Sequence, residues 1–318
     1  MVRASQCGGP IRDERNRIPP MTRPALSAAR SVDVLNFMAS RPRESLTLSE
    51  LSRQLGISTA SGHAVLQVLT AANYLVRDPV QKRYRLGPTL IALGHSALEA
   101  HPVIDRARDE VRHLADSLQL ECLAEIVCDD EIMILARAGR PRKFEFLPRV
   151  AQRLPLIPPV GNALCAWADE PTTKKWLDRL GAIPKQEMAR ITQAIEGIRA
   201  RGYDVGLETP TRKQIGELLA RRAHDAESKD WKPMLADLFK TLAREENQIV
   251  GPIDPLREYS VNYIMAPVVN IHGEALVCLT VLGFEYALGG GEIQKIGEVV
   301  VQAGALAGIA GRQASTYP

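Results

Sequence analysis

The side chains best suited to chemistry form two neighbouring groups. Ser58, Thr59, Ser61, His63 and Gln67 are short, uncharged hydrogen-bonding residues within one stretch, and Lys82, Arg83 and Arg85 follow as a dense cationic cluster. The first group fits base edges and phosphate oxygens, and the second fits a phosphodiester backbone. Catalysis finds no comparable set. The six histidines (63, 95, 101, 113, 224 and 272) are scattered, without the i, i+4 pair that holds a metal on a helix, and G-x-S-x-G and P-loop patterns are absent. Cys7, Cys122, Cys128, Cys165 and Cys278 are odd in number and contain no C-x-x-C pair, which argues against a disulfide framework and a structural zinc site. Gly289, Gly290 and Gly291 follow no dinucleotide-binding pattern and read as a loop entering a helix. The expectation is a protein that is not an enzyme and needs no cofactor or metal.

The elements that must position the polar group read as a helix-turn-helix. From Leu26 to Ala39, Leu26, Ala29, Val32, Leu35 and Met38 recur at three-residue intervals, which predicts a first helix ending before Arg41 and Pro42. Thr47 followed by Glu50 is a capping box, and Leu48, Leu51 and Leu55 then face inward from a short helix. Gly56 supplies a tight turn, Ser58 is the expected N-cap, and Val65, Val68, Leu69 and Ala72 form the buried side of the next helix. That leaves Thr59, Ser61, His63 and Gln67 outward. The runs YLVRDP and KRYRLG, joined by a turn around Asp78 and Pro79, read as a β-wing.

Charge agrees with this placement. Residues 1–95 carry 13 basic and 6 acidic side chains, while residues 96–318 carry 27 and 31, so the net charge of +3 hides a basic first third where a polyanion would bind. With 318 residues, 45% of them hydrophobic, the chain has material for two cores. No run approaches the roughly 20 uninterrupted apolar residues that span a bilayer, and the N-terminus lacks the apolar run of a secretory signal, so no membrane partner and a cytoplasmic location are expected.

Beyond the wing, the pattern predicts a linker helix, then a helix with Val111, Leu114 and Leu118 inward. Residues 120–127 and 131–138 read as a hairpin, with PRKFEFL (141–147) a candidate third strand. Residues 161–168, 171–180 and 187–201 look helical, 261–269 and 274–284 form a second hairpin, and 291–311 is a terminal apolar helix. The fold class expected is α+β: an N-terminal winged helix-turn-helix joined by a linker helix to a C-terminal antiparallel α+β domain. The divisions are 1–25 a disordered tail with Met21 an alternative start, 26–87 the winged domain, 88–105 the linker, and 106–311 the second domain.

In this order, LTLSELSRQLGIS, YRLGPTLIALG, RLPL leading to GNALCA, IRARGY, IMAPV and HGEALVCLTVLG resemble the IclR family of bacterial transcription regulators over roughly residues 26–311. The resemblance implies a regulator that binds near-palindromic double-stranded operator DNA as a homodimer or homotetramer, and whose second domain binds a small organic effector, a carboxylate or aromatic metabolite. It implies an effector site with Pro159, Val160 and Gly161 on a loop over the sheet, Val261 and Tyr263 on one strand, and Thr280 and Leu282 on the next. Residues two apart share a strand face, although Val261 and Leu282 suit a plain core equally well. Asp254 or Glu208 would meet a polar effector group. Leu282 stands where relatives often have Ser, which with Tyr263 points to a larger, less polar effector than a short keto acid.

On the DNA side, base-edge contact is assigned to Ser61, His63 and Gln67, and phosphate positioning to Ser58, Thr59, Arg30, Lys82, Arg83 and Arg85. Ala64 and Thr59 stand where relatives commonly have basic residues, so base contacts do not transfer. Residues 211–252 lie where relatives pass directly to the IMAPV strand, and the spacing of Ile215, Leu218 and Leu219, then Leu235, Leu238 and Leu242, predicts two inserted amphipathic helices. The competing reading is an architectural DNA binder whose second domain only oligomerises, with the inserted helices plugging the pocket or forming a new interface.

Overall fold

The structure, a computed structural model, describes residues 25–140, 149–224, 231–270 and 272–314. The N-terminal tail and the candidate strand at 141–147 lie outside them. In chain order the winged portion comprises α1 (Leu26–Ala39), β1 (Leu46–Thr47), α2 (Leu48–Leu55), α3 (Thr59–Ala71), β2 (Leu75–Arg77) and β3 (Arg83–Leu86), followed by α4 (Thr89–Glu99). The remainder comprises α5 (Pro102–Leu118), β4 (Glu121–Cys128), β5 (Glu131–Ala138), β6 (Arg153–Pro155), α6 (Asn162–Cys165), α7 (Glu170–Leu177), α8 (Lys185–Arg201), β7 (Asp204–Leu207), α9 (Pro210–His224), α10 (Trp231–Leu242), β8 (Glu258–Tyr259), β9 (Val261–Val269), β10 (Ala275–Leu282), β11 (Leu288–Gly289) and α11 (Gly290–Ala314).

The winged core is built from Val34, Met38, Leu51, Val65, Leu66, Leu69, Leu75 and Tyr84. Two predicted stripes are corrected by it. A three-residue spacing drifts by about 60° per step around an α-helix, so Leu26 and Val32 end up exposed, while Met38 is buried as read and Val34, outside the predicted stripe, is buried with it. In α3 the buried set is Gly62, Val65, Leu66 and Leu69, an i, i+3, i+4, i+7 face that leaves Val68 and Ala72 outside. The capping box forms as read, with Thr47 and Glu50 satisfying each other's backbone N–H. Gly56 ends α2 at φ +62°, a conformation that a side chain resists.

The helix after the wing stops at Glu99, and Pro102 opens α5. Residues 102–105, read as the end of the linker, are therefore the first turn of α5. The second sheet has order β6-β5-β4-β10-β9-β7, with every neighbouring pair antiparallel. Both predicted hairpins are present, but β6 rather than 141–147 is the described strand beside β5, and β7 is an edge strand that the sequence pattern did not show. The helix read over 161–168 is the single turn α6.

One sheet face packs on α5 and α11 through Val111, Leu114, Ile293, Val300, Ala266, Val268, Leu279 and Val281. The opposite face meets α6, α7 and α8 through Leu164, Trp176, Ile191 and Ile198. The predicted insertion is two helices, α9 and α10, closed on each other by Leu218, Leu219, Trp231, Leu235 and Phe239, with Leu154, Ile157 and Val160 of the sheet side packed against them.

Candidate nucleic-acid interface and ligand cavity

The interface is assembled at the start of α3. Ser58 accepts the Ser61 backbone N–H at 3.3 Å as N-cap, and Thr59, His63 and Gln67 are exposed. His63 and Gln67 line an open cleft of about 670 Å³ between α3 and the wing, shared with Thr47, Ser49, Thr70, Arg77, Gln81, Lys82 and Tyr84. Lys82 sits at the wing turn with φ +54°. That turn is shaped by Asp78, whose carboxylate accepts the Val80 and Gln81 backbone N–H groups at 2.8 Å, and these bonds hold the Asp78 carboxyl below its usual range.

The other assigned cations differ in their surroundings. The Arg83 guanidinium donates to the Ser45 carbonyl at 2.9 Å and pairs with Glu50 at 3.0 Å, which ties the wing to the capped end of α2. Arg85 is exposed on the sheet face opposite Tyr84, because β2 and β3 pair Val76 with Arg85 and Arg77 with Tyr84. Arg30 donates to the Ser61 hydroxyl at 2.9 Å, joining a residue assigned to phosphate with one assigned to bases. Ser49, Thr70 and Arg77 also line the cleft and were not singled out from the sequence. Arg77 reaches the cleft together with Tyr84, its cross-strand partner on the same face.

The second site is a cavity of about 520 Å³ between the sheet and the elements above it. Its floor is Leu123 and Glu125 of β4, Ile132 and Ile134 of β5, Asn262, Tyr263 and Met265 of β9, and Cys278, Thr280 and Leu282 of β10. Leu154, Pro159, Val160, Gly161 and Leu164 close one side, while Arg212, Lys213, Ile215, Gly216, Glu217, Leu219 and Ala220 of α9 with Phe239 and Leu242 of α10 close another. The loop is held by the Trp176 indole N–H donating to the Val160 carbonyl at 2.9 Å and by a hydrogen bond from Asn162 to Gln248.

Seven of the nine effector residues expected from the resemblance line this cavity: Pro159, Val160, Gly161, Glu208, Tyr263, Thr280 and Leu282. Asp254 does not. It lies in the exposed loop before β8, where its carboxylate accepts the Leu256 N–H. Val261 does not either, and is buried on the α5/α11 side. The register shift opposite Gly206 and Leu207 explains this: Gly206 pairs with Tyr263 and Leu207 with Val261, so a bulge at Asn262 breaks the alternation and turns Asn262 and Tyr263 to the cavity together.

The polar groups of the cavity are largely pre-positioned. The Thr280 hydroxyl donates to Glu125 Oε2 at 2.6 Å, Asn262 donates to Glu208 at 2.6 Å, and the Tyr263 hydroxyl donates to Asp204 at 2.9 Å. Arg212 lies 4.8 Å over the Tyr263 ring and donates to the carbonyls of Leu207 at 2.8 Å and Asn247 at 3.1 Å. Burial raises the Glu125 carboxyl, against the Thr280 hydrogen bond, and raises the Asp204 carboxyl, against Arg201 and Tyr263. Tyr263 is raised by burial and then by Asp204. Among the described residues no group of three or more His, Cys, Asp or Glu is placed to hold a metal, and no helix is long and apolar enough to cross a membrane.

Residues 27–79 match the model of the IclR helix-turn-helix domain. Over 192 residues the chain is 26% identical to the glycerol operon regulatory protein of Streptomyces griseus, which covers 59% of this chain and 75% of that one. It is 25% identical over 188 residues to the transcriptional regulator BhcR of Paracoccus denitrificans, covering 57% and 67%. The chain carries an IclR helix-turn-helix domain and is similar to transcription regulators of that family. Solved structures share the fold. An IclR transcriptional regulator from Alicyclobacillus acidocaldarius aligns with a TM-score of 0.62 at 18% identity, covering 90% of this chain and 98% of that one. An IclR homologue from Microbacterium hydrocarbonoxydans, complexed with 4-hydroxybenzoate, aligns at 0.59 and 17%, covering 90% and 99%. The relatives are transcription regulators and not enzymes, in agreement with the absence of catalytic motifs.

Proposed function

We propose that this DNA-binding transcription regulator reads a two-fold operator as a homodimer or a dimer of dimers and is controlled by a small organic effector in the sheet cavity. In this reading residues 26–87 bind DNA and the chain from Pro102 onward senses and assembles. The observation that carries the reading is the cavity itself: about 520 Å³ remains between sheet, loop and inserted helices, with polar groups converging on an apolar floor. Because α9 and α10 wall the cavity without filling it, the sensor reading is favoured over the architectural one. The apolar floor also favours an effector with a sizeable hydrophobic body, as the resemblance to regulators of carboxylates and aromatic metabolites allowed.

Association is supported by α4, none of whose residues is buried although Leu90, Ile91, Leu93 and Leu98 are apolar. A second copy covering this helix would align two winged domains for two half-sites. On the DNA side His63 and Gln67 are assigned to base edges. Ser58, Thr59, Lys82, Arg85 and Arg77 are assigned to the backbone, while Arg30 with Ser61, and Arg83 with Glu50, orient the reading surface.

The test is selection of duplexes from a random library by the full chain, followed by sedimentation of the complex. Enrichment of a near-palindrome bound by two or four chains supports the proposal. Binding that is sequence-indifferent, with no change in stability on adding candidate organic ligands, would return the weight to an architectural role.

A further inference from the structure

The charge arrangement inside the cavity narrows the chemistry of its ligand. Glu125 projects from β4, one of the two central strands of the sheet, and one of its oxygens is taken by the Thr280 hydroxyl at 2.6 Å. Among the described residues no basic side chain forms an ion pair with it. The guanidinium of the wall, Arg212, is committed: Nε and Nη2 serve the carbonyls of Leu207 and Asn247, and the group lies over Tyr263. Lys213 and Glu217 are both exposed on α9. The inner cavity therefore offers an acid with an acceptor beyond the Thr280 bond, surrounded by apolar side chains, while the guanidinium in its wall has its Nε and Nη2 donors turned to backbone carbonyls. A carboxylate in such surroundings is stabilised by a cationic donor that reaches it, and an anionic ligand seated on the floor would be repelled by Glu125 while the donors of Arg212 are turned to the backbone.

We propose that the effector is an organic amine with an apolar body, its ammonium on Glu125 and its hydrocarbon portion against Ile215, Leu219 and Phe239 of the inserted helices. This rests on the sensor reading above and names the ligand class for the same cavity. The inserted helices make it particular to this chain, since α9 and α10 supply nine of the lining residues.

The experiment uses the full chain and two matched probe sets: benzylamine, 2-phenylethylamine and hexylamine against benzoate, phenylacetate and hexanoate. Each is tested by thermal denaturation and by calorimetric titration, with Glu125→Gln as the variant and its circular dichroism as the check on folding. The expected result is stabilisation by at least one amine and none by the carboxylates, with affinity reduced about 30-fold or more in the folded variant, the loss expected when one partner of a buried charge pair is removed. Should Glu125→Gln fail to fold, Thr280→Val, which removes only the hydroxyl on Glu125, replaces it and is expected to change amine affinity. Stabilisation by carboxylates and not amines, or amine binding unchanged in the variants, overturns the amine proposal and leaves the sensor reading intact. No stabilisation by either set overturns both.

Discussion

Neighbouring cations of the wing are predicted to behave differently although both carry one charge. Lys82 is exposed on the cleft beside His63 and Gln67, whereas Arg83 is engaged by Ser45 and Glu50. Each phosphate neutralised contributes about 0.9 to the slope of log K against log salt, so one lost contact changes the affinity ratio between 50 and 200 mM salt by roughly 3.5-fold. Lys82→Ala should therefore lower the slope by about 0.9 and bind all operator variants more weakly by the same factor. The double variant Glu50→Gln/Arg83→Gln preserves net charge. It should leave the slope unchanged and cost the winged domain about 1 kcal/mol of stability, because the ion pair it removes is a third exposed and screened by solvent. Fluorescence anisotropy on one selected duplex at four salt concentrations measures the slopes, and urea denaturation measures the stability. A slope in the double variant lowered as far as in Lys82→Ala would refute the division, and Arg83 would return to the backbone contacts.

Three further outcomes are expected. Burial raises the Glu125 carboxyl above its ordinary value of 4.5, so the native state holds that proton more tightly than the unfolded chain, and stability present at lower pH is lost as pH rises through the native titration. Glu125→Gln should match the wild type near pH 4 and gain on it toward pH 8 in urea denaturation, and a constant difference would contradict the assignment. Leu235→Ala empties a fully buried position between α9 and α10 and should cost about 3 kcal/mol. Hydrogen exchange should then accelerate across both helices while DNA binding without ligand persists. Gly206→Ala places a methyl group inside the Tyr263 ring, so the ring must shift and its bond to Asp204 breaks. A cost of about 1–3 kcal/mol and loss of ligand response are expected in denaturation with and without ligand; an unchanged ligand response would show that Tyr263 does not touch the ligand.

Local signals were the legible part of the chain. The Thr47–Glu50 capping box, the Gly56 turn and the Ser58 N-cap are written in adjacent residues and appear where they were read. The hairpins of β4 with β5 and β9 with β10 were visible because each holds an apolar run around a polar turn. What escaped depends on partners distant in sequence. The short β7 exists because β9 offers it an edge, and the face of Val261 depends on a bulge set opposite Gly206. The pairing of Arg83 with Glu50 joins residues 33 positions apart and was not visible in the sequence. Glu125 carried no motif, and its place on the cavity floor follows only from the pairing of β4 with β10.

Helix α4 is eleven residues long and buries none of them. A helix of that length, alone in water, is near the limit of stability even with favourable residues. With a second copy as its cover, as proposed above, chain concentration would become a variable of helicity, and diluted chains would lose order between the domains before either domain unfolds. The mechanical link from ligand to DNA would then exist only in the assembly. Abundance would set a threshold below which the chain could still bind its ligand and have no rigid path along which to report it.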